Sequence, residues 1–475
     1  MRSVLPGGPW DSTWSFRMAE ELIISISGLR GIVGDNLRAS TAADYGSAFG
    51  SYLKGALAGG EQSLSVCIGR DSRPSGQMLT SAVAAGLSSA GVDVIDLGIV
   101  TTPSVGIMVR HSGCAGGVIV TASHNPVRYN GIKLLLGNGV APPHDAFQRI
   151  RQIFFGKRFE FADSVSCGKV TSDDSANANH IERVLAIVDS QAVAANEFAV
   201  VLDSVNGAGG RVTAKLLEKL GCTVFPMNNE PTGLFAHPPE PVAENLKDLC
   251  EAVKSRKVDI GFAQDPDGDR LAIVDEHGTY IGEEYTLALA AMHAFGAEGG
   301  TAATNLSTSR MIDDIAGRAG GRVIRTPVGE ANVAAAMLEN NCIIGGEGNG
   351  GVIDLRVGPI RDSLVAIALV LQLMAETGKS VGRLANSIGG YYMSKEKFSA
   401  EPAQAEQIIA LAKSTFSEAR LNDADGCRFD FEDGWLHLRV SNTEPVMRII
   451  VEAKHQSAAQ KYLDAAAEIR GKVLG

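Results

Sequence analysis

One segment pattern occurs three times in this chain and restricts the folds that the chain can form. Each copy has a short apolar run, a polar or glycine-bearing turn, an amphipathic helical stretch and a second apolar run, and the copies open with SLSVCIGRDSR, FAVVLDSVNGAGG and TAATNLSTSR. Strands that alternate with helices favour parallel sheets covered by helices. The copies start near Ser65, Phe198 and Ala302, about a domain's length apart. The pattern predicts three similar α/β modules with mixed, mostly parallel sheets rather than one large sheet.

The C-terminal part of the chain follows a different pattern. The residues between Cys427 and Glu452 predict three strands joined by two turns, with Asp433-Gly434 as a favoured tight turn. Helical stretches precede and follow this segment, so we predict a smaller α+β domain and four domains in total. A prior of roughly 150 residues per domain would suggest three. The predicted ranges are 18–157 for domain I, 158–279 for domain II, 280–384 for domain III and 385–475 for domain IV.

The charge and hydropathy of the chain exclude several classes of protein. The formal net charge is −11 at pH 7, which disfavours a main role in binding nucleic acid or an anionic membrane surface. The longest strongly apolar stretch, Leu364 to Ala375, is far shorter than a bilayer span, so no membrane segment is predicted. Residues 1–17 lack the apolar core of a signal peptide. We expect them to be a disordered extension, or a translation start assigned too early, ahead of Met18.

The seven cysteines are scattered, and no two have the C-x-x-C spacing of a metal or redox motif. We therefore expect free thiols in a reducing cytoplasm.

The first motif with chemical potential is Thr121-Ala-Ser-His-Asn-Pro126, which ends the apolar run GGVIVTA. Ser123 comes just past the carboxyl end of a predicted strand, where α/β sheets bind ligands. A serine in this position could simply cap a helix or form a turn. However, a hydroxyl that accepts and donates a phosphoryl group needs polar and cationic neighbours, and His124 and Lys133 are close in sequence.

The second motif is Asp265-Pro-Asp-Gly-Asp-Arg270, between two strand-like runs. Its three carboxylates, at alternate positions, can converge on one hard cation such as Mg²⁺. An EF-hand would use similar spacing, with Glu276 at position 12, but position 6 is Arg270 instead of glycine and the flanks resemble strands. A solvated acidic turn is disfavoured because adjacent carboxylates repel each other without a cation. The guanidinium of Arg270 suits an incoming phosphate.

A glycine-rich segment, GGEGNGG, covers residues 345–351. It lacks the Gly-Lys-Ser/Thr of a P-loop and the glycine spacing of a dinucleotide site. Glu347 and Asn349 on such a loop fit recognition of the hydroxyl groups of a sugar, although a plain glycine-rich turn explains the pattern equally well.

The last motif, RVSNTEPVMR, runs from Arg439 to Arg448. Arginine, hydroxyl and amide side chains with turn N–H groups could cradle a phosphate, and a polar β-turn is the alternative. Arg30 in SGLRG and the two arginines of GRDSR, Arg70 and Arg73, add cationic groups on separate loops. Arginines beside glycines and serines in an acidic chain indicate a small phosphorylated ligand.

Taken together, these motifs resemble those of the α-D-phosphohexomutase family, which includes phosphoglucomutase, phosphomannomutase and phosphoglucosamine mutase. The resemblance runs from about Leu22 to the C-terminus, with the motifs in the family's order. It implies a Mg²⁺-dependent enzyme that interconverts hexose 6-phosphate and hexose 1-phosphate through a phosphoserine. A bound hexose 1,6-bisphosphate would be the intermediate and activator.

The resemblance also implies roles for particular residues. Ser123 would be the phosphoserine, and Asp265, Asp267 and Asp269 would hold Mg²⁺ together with its phosphate. The other implied catalytic residues are His124, Lys133 and Arg30. The implied substrate-binding residues are Arg270, Glu347, Asn349, Arg439, Ser441, Asn442, Thr443 and Arg448.

The chain departs from the family pattern at three places. Many members have a serine at the position of Asn349 and a histidine at that of Gly351, and many have a threonine in the N-terminal loop. The variants found here resemble those of archaeal and some bacterial members that are often assigned as phosphoglucosamine mutases. Glucosamine phosphate is therefore the favoured substrate, with glucose or mannose phosphate as the alternative.

Two other classes of protein remain as rivals, a non-catalytic phosphosugar-binding protein and a metal-dependent phosphatase. We expect a phosphosugar as the partner, no nucleic-acid or membrane partner, a cytoplasmic location, and a monomer or homodimer.

Overall fold

Four β-sheets form the framework of the protein. The computed structural model describes residues 22–57, 64–296, 299–440 and 446–475. In these ranges the sheets contain seven, four, four and five strands in chain order. The prediction of three α/β modules with mixed sheets and a smaller C-terminal α+β module is confirmed. The expected extension at residues 1–17 lies outside the described residues.

The first module has a seven-stranded sheet. Its strands are β1 (Ile23–Ser25), β2 (Gly28–Ile32), β3 (Ser65–Arg70), β4 (Asp93–Ile99), β5 (Gly116–Val120), β6 (Tyr129–Leu136) and β7 (Val170–Ser172). Its helices are α1 (Ala39–Ala56), α2 (Gly76–Ser89), α3 (Thr102–His111) and α4 (His144–Gly156). The strand order is β1-β2-β6-β5-β3-β4-β7, and the pairs from β5 to β7 are parallel. The carboxyl ends of β3 and β5 therefore meet at one edge of the sheet, where two of the predicted loops begin.

Neighbouring residues in the sequence determine where α3 begins. The same helix end contacts the second module. The Thr101 hydroxyl accepts a hydrogen bond from the Ser104 N–H, and Pro103 lies in the first turn, where a missing N–H is tolerated. The Thr102 N–H beside this cap donates to the Asp267 carbonyl at 2.8 Å. The N-terminus of α3 is thus fixed against the aspartate loop.

The second module has a four-stranded sheet with the order β11-β10-β8-β9. Its strands are β8 (Ala199–Asp203), β9 (Thr223–Met227), β10 (Ile260–Gln264) and β11 (Leu271–Val274). Its helices are α5 (Ala176–Leu185), α6 (Ser190–Ala194), α7 (Gly209–Lys219) and α8 (Lys247–Arg256). The antiparallel pair β10–β11 closes directly around the aspartate loop, with Gln264 opposite Leu271. The flanks are strands as predicted, and this excludes the helix–loop–helix arrangement of an EF-hand.

The third module repeats the four-stranded plan, in the order β13-β12-β14-β15. Its strands are β12 (Thr301–Asn305), β13 (Arg322–Thr326), β14 (Ile344–Glu347) and β15 (Gly351–Ile353). Its helices are α9 (Glu284–Phe295), α10 (Met311–Arg318), α11 (Glu330–Asn340), α12 (Ser363–Thr377) and α13 (Val381–Ile388). The turn between β14 and β15 is the predicted glycine-rich segment.

The fourth module is an antiparallel sheet, β16-β20-β19-β18-β17, covered by two helices. Its strands are β16 (Tyr392–Ser399), β17 (Arg420–Asn422), β18 (Cys427–Asp430), β19 (Gly434–Val440) and β20 (Val446–Ala453), and its helices are α14 (Pro402–Thr415) and α15 (Gln456–Leu474). Strands β18, β19 and β20 correspond to the three strands predicted between Cys427 and Glu452.

The long apolar run of the sequence forms helix α12, at the centre of a hydrophobic cluster that the second and third modules share. Every residue from Ser363 to Met374 is buried. Among the described residues no single helix is both long and apolar enough to cross a membrane; α12 and α13 together meet that length and composition, but they are bent by 90°. The position of α12 in the shared cluster explains its composition.

A buried polar chain connects the first three modules. Ser104 Oγ in α3 lies 2.9 Å from His180 Nδ1 in α5, and His180 Nε2 lies 2.6 Å from Asp362 Oδ2. Asp362 also caps the N-terminus of α12, where its other oxygen accepts from the Leu364 N–H at 2.9 Å. All three side chains are buried. Because buried polar groups are costly to leave unpaired, these hydrogen bonds favour one docked arrangement of the three modules.

Candidate active site

The loop that follows β5 holds Ser123 in an unusual backbone conformation. The φ angle of Ser123 is 48°, in the left-handed region that costs a residue with a side chain about 1 kcal/mol or more. The Ser123 N–H donates to Thr121 Oγ1 at 2.9 Å, and the Thr121 hydroxyl donates to Asp71 Oδ2 at 2.7 Å. The loop thus turns sharply at Ser123, and the hydroxyl of this residue is directed toward the second module.

The side chain that stabilises this loop is Arg73, between β3 and α2. Its Nη2 donates to the carbonyls of Ser123 and Asn125 at 2.7 and 2.6 Å. Its Nη1 donates to the carbonyls of Pro126 and Tyr129 at 2.8 and 3.0 Å, and its Nε donates to Asp71 Oδ2 at 3.0 Å. All five N–H donors of a guanidinium are then used. The interpretation of Arg73 as a phosphate-binding cation is therefore wrong, and the residue is a brace for the serine loop.

The aspartate loop brings three buried carboxylates to the serine. Ser123 Oγ donates to Asp265 Oδ2 at 2.8 Å. One oxygen each from Asp265, Asp267 and Asp269 can be chosen so that all lie within 4.8 Å of one another. The Oδ1 atoms of Asp267 and Asp269 are buried and accept no hydrogen bond from the described residues. A cluster of hard oxygen atoms with unused acceptors fits a small divalent cation such as Mg²⁺.

Positive groups surround this acidic cluster. Lys133 Nζ, on β6, lies 2.8 Å from Asp267 Oδ2 and 3.8 Å from Asp269 Oδ2. Burial lowers the pKa of Lys133, but the charges of Asp267 and Asp269 outweigh this effect and raise the pKa, so the ammonium stays protonated at neutral pH. Burial, with the charges of the other two aspartates, raises the pKa of Asp265 well above its ordinary value. A bound cation would relieve that repulsion.

Three further predicted residues line the same cavity as Ser123. His124 Nδ1 lies 3.3 Å from Ser123 Oγ. Burial and the positive charges of Arg270 and Arg30 lower the pKa of His124, so its imidazole is neutral at pH 7. Arg270 Nε lies 3.8 Å from Asp269 Oδ1, and Arg30 extends from β2 into the same cavity. A phosphate on Ser123 would therefore meet several cationic groups.

Residues of the predicted sugar loop line the same cavity as the serine. Glu347 ends β14, and its Oε1 accepts from Asn305 Nδ2 at 2.8 Å and from the Gly329 N–H at 3.2 Å. Burial raises the pKa of Glu347, but the charge of Arg361 and these hydrogen bonds outweigh burial. The net pKa is lowered, so the carboxylate is ionised. Asn349 lines the cavity, and its buried Oδ1 has no hydrogen-bond partner among the described residues. These are groups that hydroxyls of a ligand could satisfy.

Arg361 is a site residue that the sequence analysis missed. Its Nη1 donates to Glu347 Oε2 at 2.7 Å, and its Nη2 donates to Asp269 Oδ2 at 2.5 Å. Its Nε lies 3.7 Å from Glu330 Oε2. The only signal in the sequence is an Arg-Asp pair directly before the apolar run of α12, because Asp362 is the N-cap of this helix.

A cavity of about 660 Å³ is lined by many of the residues described above. The predicted site residues that line it are Arg30, Ser123, His124, Lys133, Arg270, Glu347 and Asn349. The predicted phosphate cradle belongs to the fourth module, where Arg439 and Arg448 are partners on neighbouring strands. Arg439 Nε donates to Asp425 Oδ2 at 3.1 Å. Ser441, Asn442 and Thr443 lie outside the described residues.

Comparison with known proteins identifies the family. Four profiles of phosphoglucomutase/phosphomannomutase match in order: alpha/beta/alpha domain I at residues 22–161, domain II at 178–278, domain III at 282–391 and the C-terminal domain at 393–469. The chain belongs to the phosphoglucomutase/phosphomannomutase family. It is an enzyme, a phosphohexomutase of the isomerase class. The resemblance stated from the motifs is confirmed.

Individual relatives of this phosphohexomutase cover nearly its whole length. A Thermococcus kodakarensis protein named "Phosphoglucomutase/phosphomannomutase" is 39% identical, over 94% of this chain and 98% of its own. A Methanopyrus kandleri protein named "Probable phosphoglucosamine mutase" is 36% identical, over 93% and 96%. The crystal structure of a phosphoglucomutase/phosphomannomutase family protein from Burkholderia thailandensis aligns with a TM-score of 0.82 and 28% identity, over 94% of this chain and 97% of that one.

Proposed function

We propose that the protein is a Mg²⁺-dependent phosphoglucosamine mutase, which interconverts glucosamine 6-phosphate and glucosamine 1-phosphate through a phosphorylated Ser123. The observation that carries the proposal is the 2.8 Å hydrogen bond from Ser123 Oγ to Asp265 Oδ2. It joins a nucleophile of the first module to an acidic cluster of the second. The cations that line the same cavity would offset the roughly two negative charges of a phosphoserine.

Asp265, Asp267 and Asp269, together with the phosphate of Ser123, would hold the Mg²⁺. The unused acceptor atoms of Asp267 and Asp269 support this assignment. A bound Mg²⁺ supplies positive charge against the phosphoryl oxygens. Arg270, beside Asp269, would contact the same phosphate.

Return of the phosphate to the enzyme can start from the arrangement described above, with a free Ser123 hydroxyl and a neutral His124. Ser123 Oγ forms the new P–O bond while its proton passes to Asp265 Oδ2, the oxygen to which the hydroxyl already donates at 2.8 Å; the neutral His124 Nδ1 lies 3.3 Å from the same hydroxyl. The P–O bond to the sugar breaks, and the protonated Lys133 gives its proton to the departing sugar oxygen. The first transfer, from phosphoserine to the free hydroxyl of the hexose monophosphate, is the reverse of this step.

The intermediate of such a cycle is a hexose 1,6-bisphosphate, which must turn end for end before its second phosphate returns to Ser123. A phosphate cradle on a separate module would hold the distal phosphate in both orientations. Arg439 and Arg448, on either side of residues 441–445, supply the cationic part of that cradle. We propose Ser441, Asn442 and Thr443 as its remaining ligands.

The choice of glucosamine rests on the GGEGNGG and RVSNTEP variants and on the name of the Methanopyrus relative. Glucose or mannose phosphate is the second candidate, favoured by the name of the Thermococcus relative at 39% identity. Glu347 and Asn349 would bind the sugar hydroxyls in either case. The cytoplasmic location and the monomeric or homodimeric state remain predictions.

A coupled assay tests the proposal with glucosamine-, glucose- and mannose-1-phosphate, Mg²⁺ and a trace of hexose 1,6-bisphosphate. We expect turnover of glucosamine 1-phosphate to exceed that of the other two. Ser123→Ala should abolish turnover, since it removes the hydroxyl that carries the phosphate in the proposed cycle, and mass spectrometry of the wild-type protein should find phosphate on Ser123. Near-wild-type turnover by homogeneous Ser123→Ala protein would refute the phosphoserine.

The same assay separates the two rival functions. A phosphatase would release inorganic phosphate from each sugar phosphate, whereas a mutase retains it. A non-catalytic binding protein would bind the sugar phosphates without turning over a phosphoserine.

A further inference from the structure

Gly351 is the first residue of β15, and its register partner in β14 is Glu347. A Cβ atom added to Gly351 would lie 2.2 Å from Cδ and 2.9 Å from Cγ of Arg361. Real Cβ atoms do not approach other atoms this closely. The φ of Gly351 is outside the left-handed range, so its backbone would accept alanine. Position 351 is therefore restricted to glycine by the Arg361 side chain and not by its own conformation.

The guanidinium of Arg361 is paired with two carboxylates. Nη1 is 2.7 Å from Glu347 Oε2 in the sugar loop, and Nη2 is 2.5 Å from Asp269 Oδ2 in the metal loop. The Arg361 N–H donates to Glu330 Oε1 at 2.7 Å, which anchors the backbone as well. The residue is only 7% exposed. A planar guanidinium between two carboxylates fixes both the distance and the angle between them.

We propose that Arg361 is a positioning residue that fixes the sugar-recognition carboxylate Glu347 relative to the metal-loop carboxylate Asp269, and that Gly351 leaves the space through which the arginine reaches them. The proposal rests on the proposed function, because it assigns Glu347 to the sugar and Asp269 to Mg²⁺. The other oxygen of Asp269, Oδ1, accepts no hydrogen bond from the described residues, whereas Oε1 of Glu347 is held by Asn305 and the Gly329 N–H. Arg361 therefore connects the proposed sugar-recognition carboxylate directly to the metal loop.

The first test separates positioning from a general loss of structure. Without the arginine, Glu347 and Asp269 would repel each other and move apart, so Arg361→Ala should raise KM and lower kcat by at least about tenfold each. A variant that merely unfolds in part would lose active molecules and lower kcat at unchanged KM. Arg356→Met is the matched control, since Arg356 pairs with Asp354 in the same loop and does not line the cavity.

The second test measures metal binding without catalysis, by titrating Mn²⁺ and following its electron paramagnetic resonance signal. The positive guanidinium of Arg361 lies next to Asp269, and its charge repels a cation bound to the same carboxylate cluster. Arg361→Ala should therefore lower the Kd for Mn²⁺ at least about threefold while activity falls. Arg361→Lys keeps the charge and should restore the wild-type Kd, but the raised KM should persist because an ammonium cannot span two carboxylates. A Kd for Mn²⁺ that is the same in Arg361→Ala as in the wild type would overturn the coupling of Arg361 to the metal loop.

The third test uses Gly351 and keeps the proposal testable if Arg361→Ala folds poorly. Gly351→Ala should displace the Arg361 stem and lower kcat/KM at least about tenfold. In an Arg361→Ala background the same substitution should cost less than twofold, because the clashing side chain is gone. Gly317→Ala, in the open face of α10, is the control for adding a methyl group. Equal losses from Gly351→Ala in both backgrounds would overturn the proposal.

Failure of this proposal can be distinguished from failure of the proposed function. The Kd for glucosamine 6-phosphate, measured by calorimetry on the wild-type protein and the same variants, does not require turnover. A protein that lacks mutase activity but shows the Gly351–Arg361 dependence in this Kd would refute the proposed function and retain the positioning role. A mutase whose Kd ignores both substitutions would retain the function and refute the positioning role.

Discussion

The brace formed by Arg73 gives a prediction whose size can be worked out from its contacts. Arg73 and Asp71 form an ion pair with both side chains 0% exposed, and removing one partner of a buried pair costs about 3–5 kcal/mol. The Ser123 carbonyl, also buried, would lose its donor, and this adds about 1 kcal/mol or more. Water can replace the bonds to the partly exposed carbonyls. Arg73→Met should therefore destabilise the serine loop by at least about 4 kcal/mol, which corresponds to opening that is roughly a thousandfold more frequent or greater.

Hydrogen exchange followed by mass spectrometry measures this opening directly. Peptides that cover residues 121–131 should exchange roughly a thousand times faster in Arg73→Met, while peptides from the fourth module should be unaffected. Arg70→Met is the control, because Arg70 belongs to the same segment but its Nη2 bonds to the exposed Gln77 side chain at 3.0 Å. If the exchange rate of the serine loop rises less than about tenfold, the guanidinium does not stabilise the loop by the amount worked out above.

Three further predictions concern the metal loop, the fourth module and pH. Asp267→Asn replaces a charged ligand with a neutral side chain of the same size. The Kd for Mn²⁺ should therefore rise at least about tenfold in an electron paramagnetic resonance titration, and an unchanged Kd would exclude Asp267 as a ligand. Arg439→Ala should raise KM for the sugar phosphate at least about tenfold with little change in kcat, and steady-state kinetics with an unchanged KM would refute the cradle. Burial lowers the pKa of His237, but its bond to Asp203 at 3.2 Å outweighs this and raises the pKa. The pair should therefore stabilise the fold fully below the unfolded pKa of about 6.5 and lose that effect as pH rises through the folded pKa. The Tm difference between wild type and His237→Gln should shrink from pH 6 to pH 8, and a constant difference would contradict this assignment.

Most of the fold could be predicted from local sequence patterns. The strand β10, the aspartate loop and the strand β11 follow each other without interruption, so apolar runs and a polar turn were sufficient to predict them. Ser123 and the carboxylates could also be recognised as candidates, because each follows a buried strand and each belongs to a motif with a specific residue order. Each loop lies at the carboxyl end of a strand in its own sheet, and the two loops meet because the first and second modules dock there.

The arginines show where local patterns fail. Arg73 bonds to carbonyls about fifty positions further along the chain, and Arg361 pairs with Asp269 across 92 positions. A guanidinium beside serine and glycine looks the same in the sequence whether it binds a ligand or the backbone. What distinguishes the two uses is the number of its donors that the folded chain satisfies, and this depends on long-range packing. For this reason the sequence predicted a phosphate ligand for Arg73 and no role for Arg361.

The buried chain of Ser104, His180 and Asp362 has a consequence for module exchange between relatives. Each link comes from a different module, and Asp362 is adjacent to Arg361, so the docking of the modules and the alignment of the reacting groups depend on one continuous set of contacts. A chimera that receives a single module from a homologue would replace one link and keep the other two. We expect such a hybrid to fold but to turn over slowly unless the donor supplies the matching hydroxyl, imidazole or carboxylate. We therefore expect activity in such hybrids to require matched modules rather than any single module.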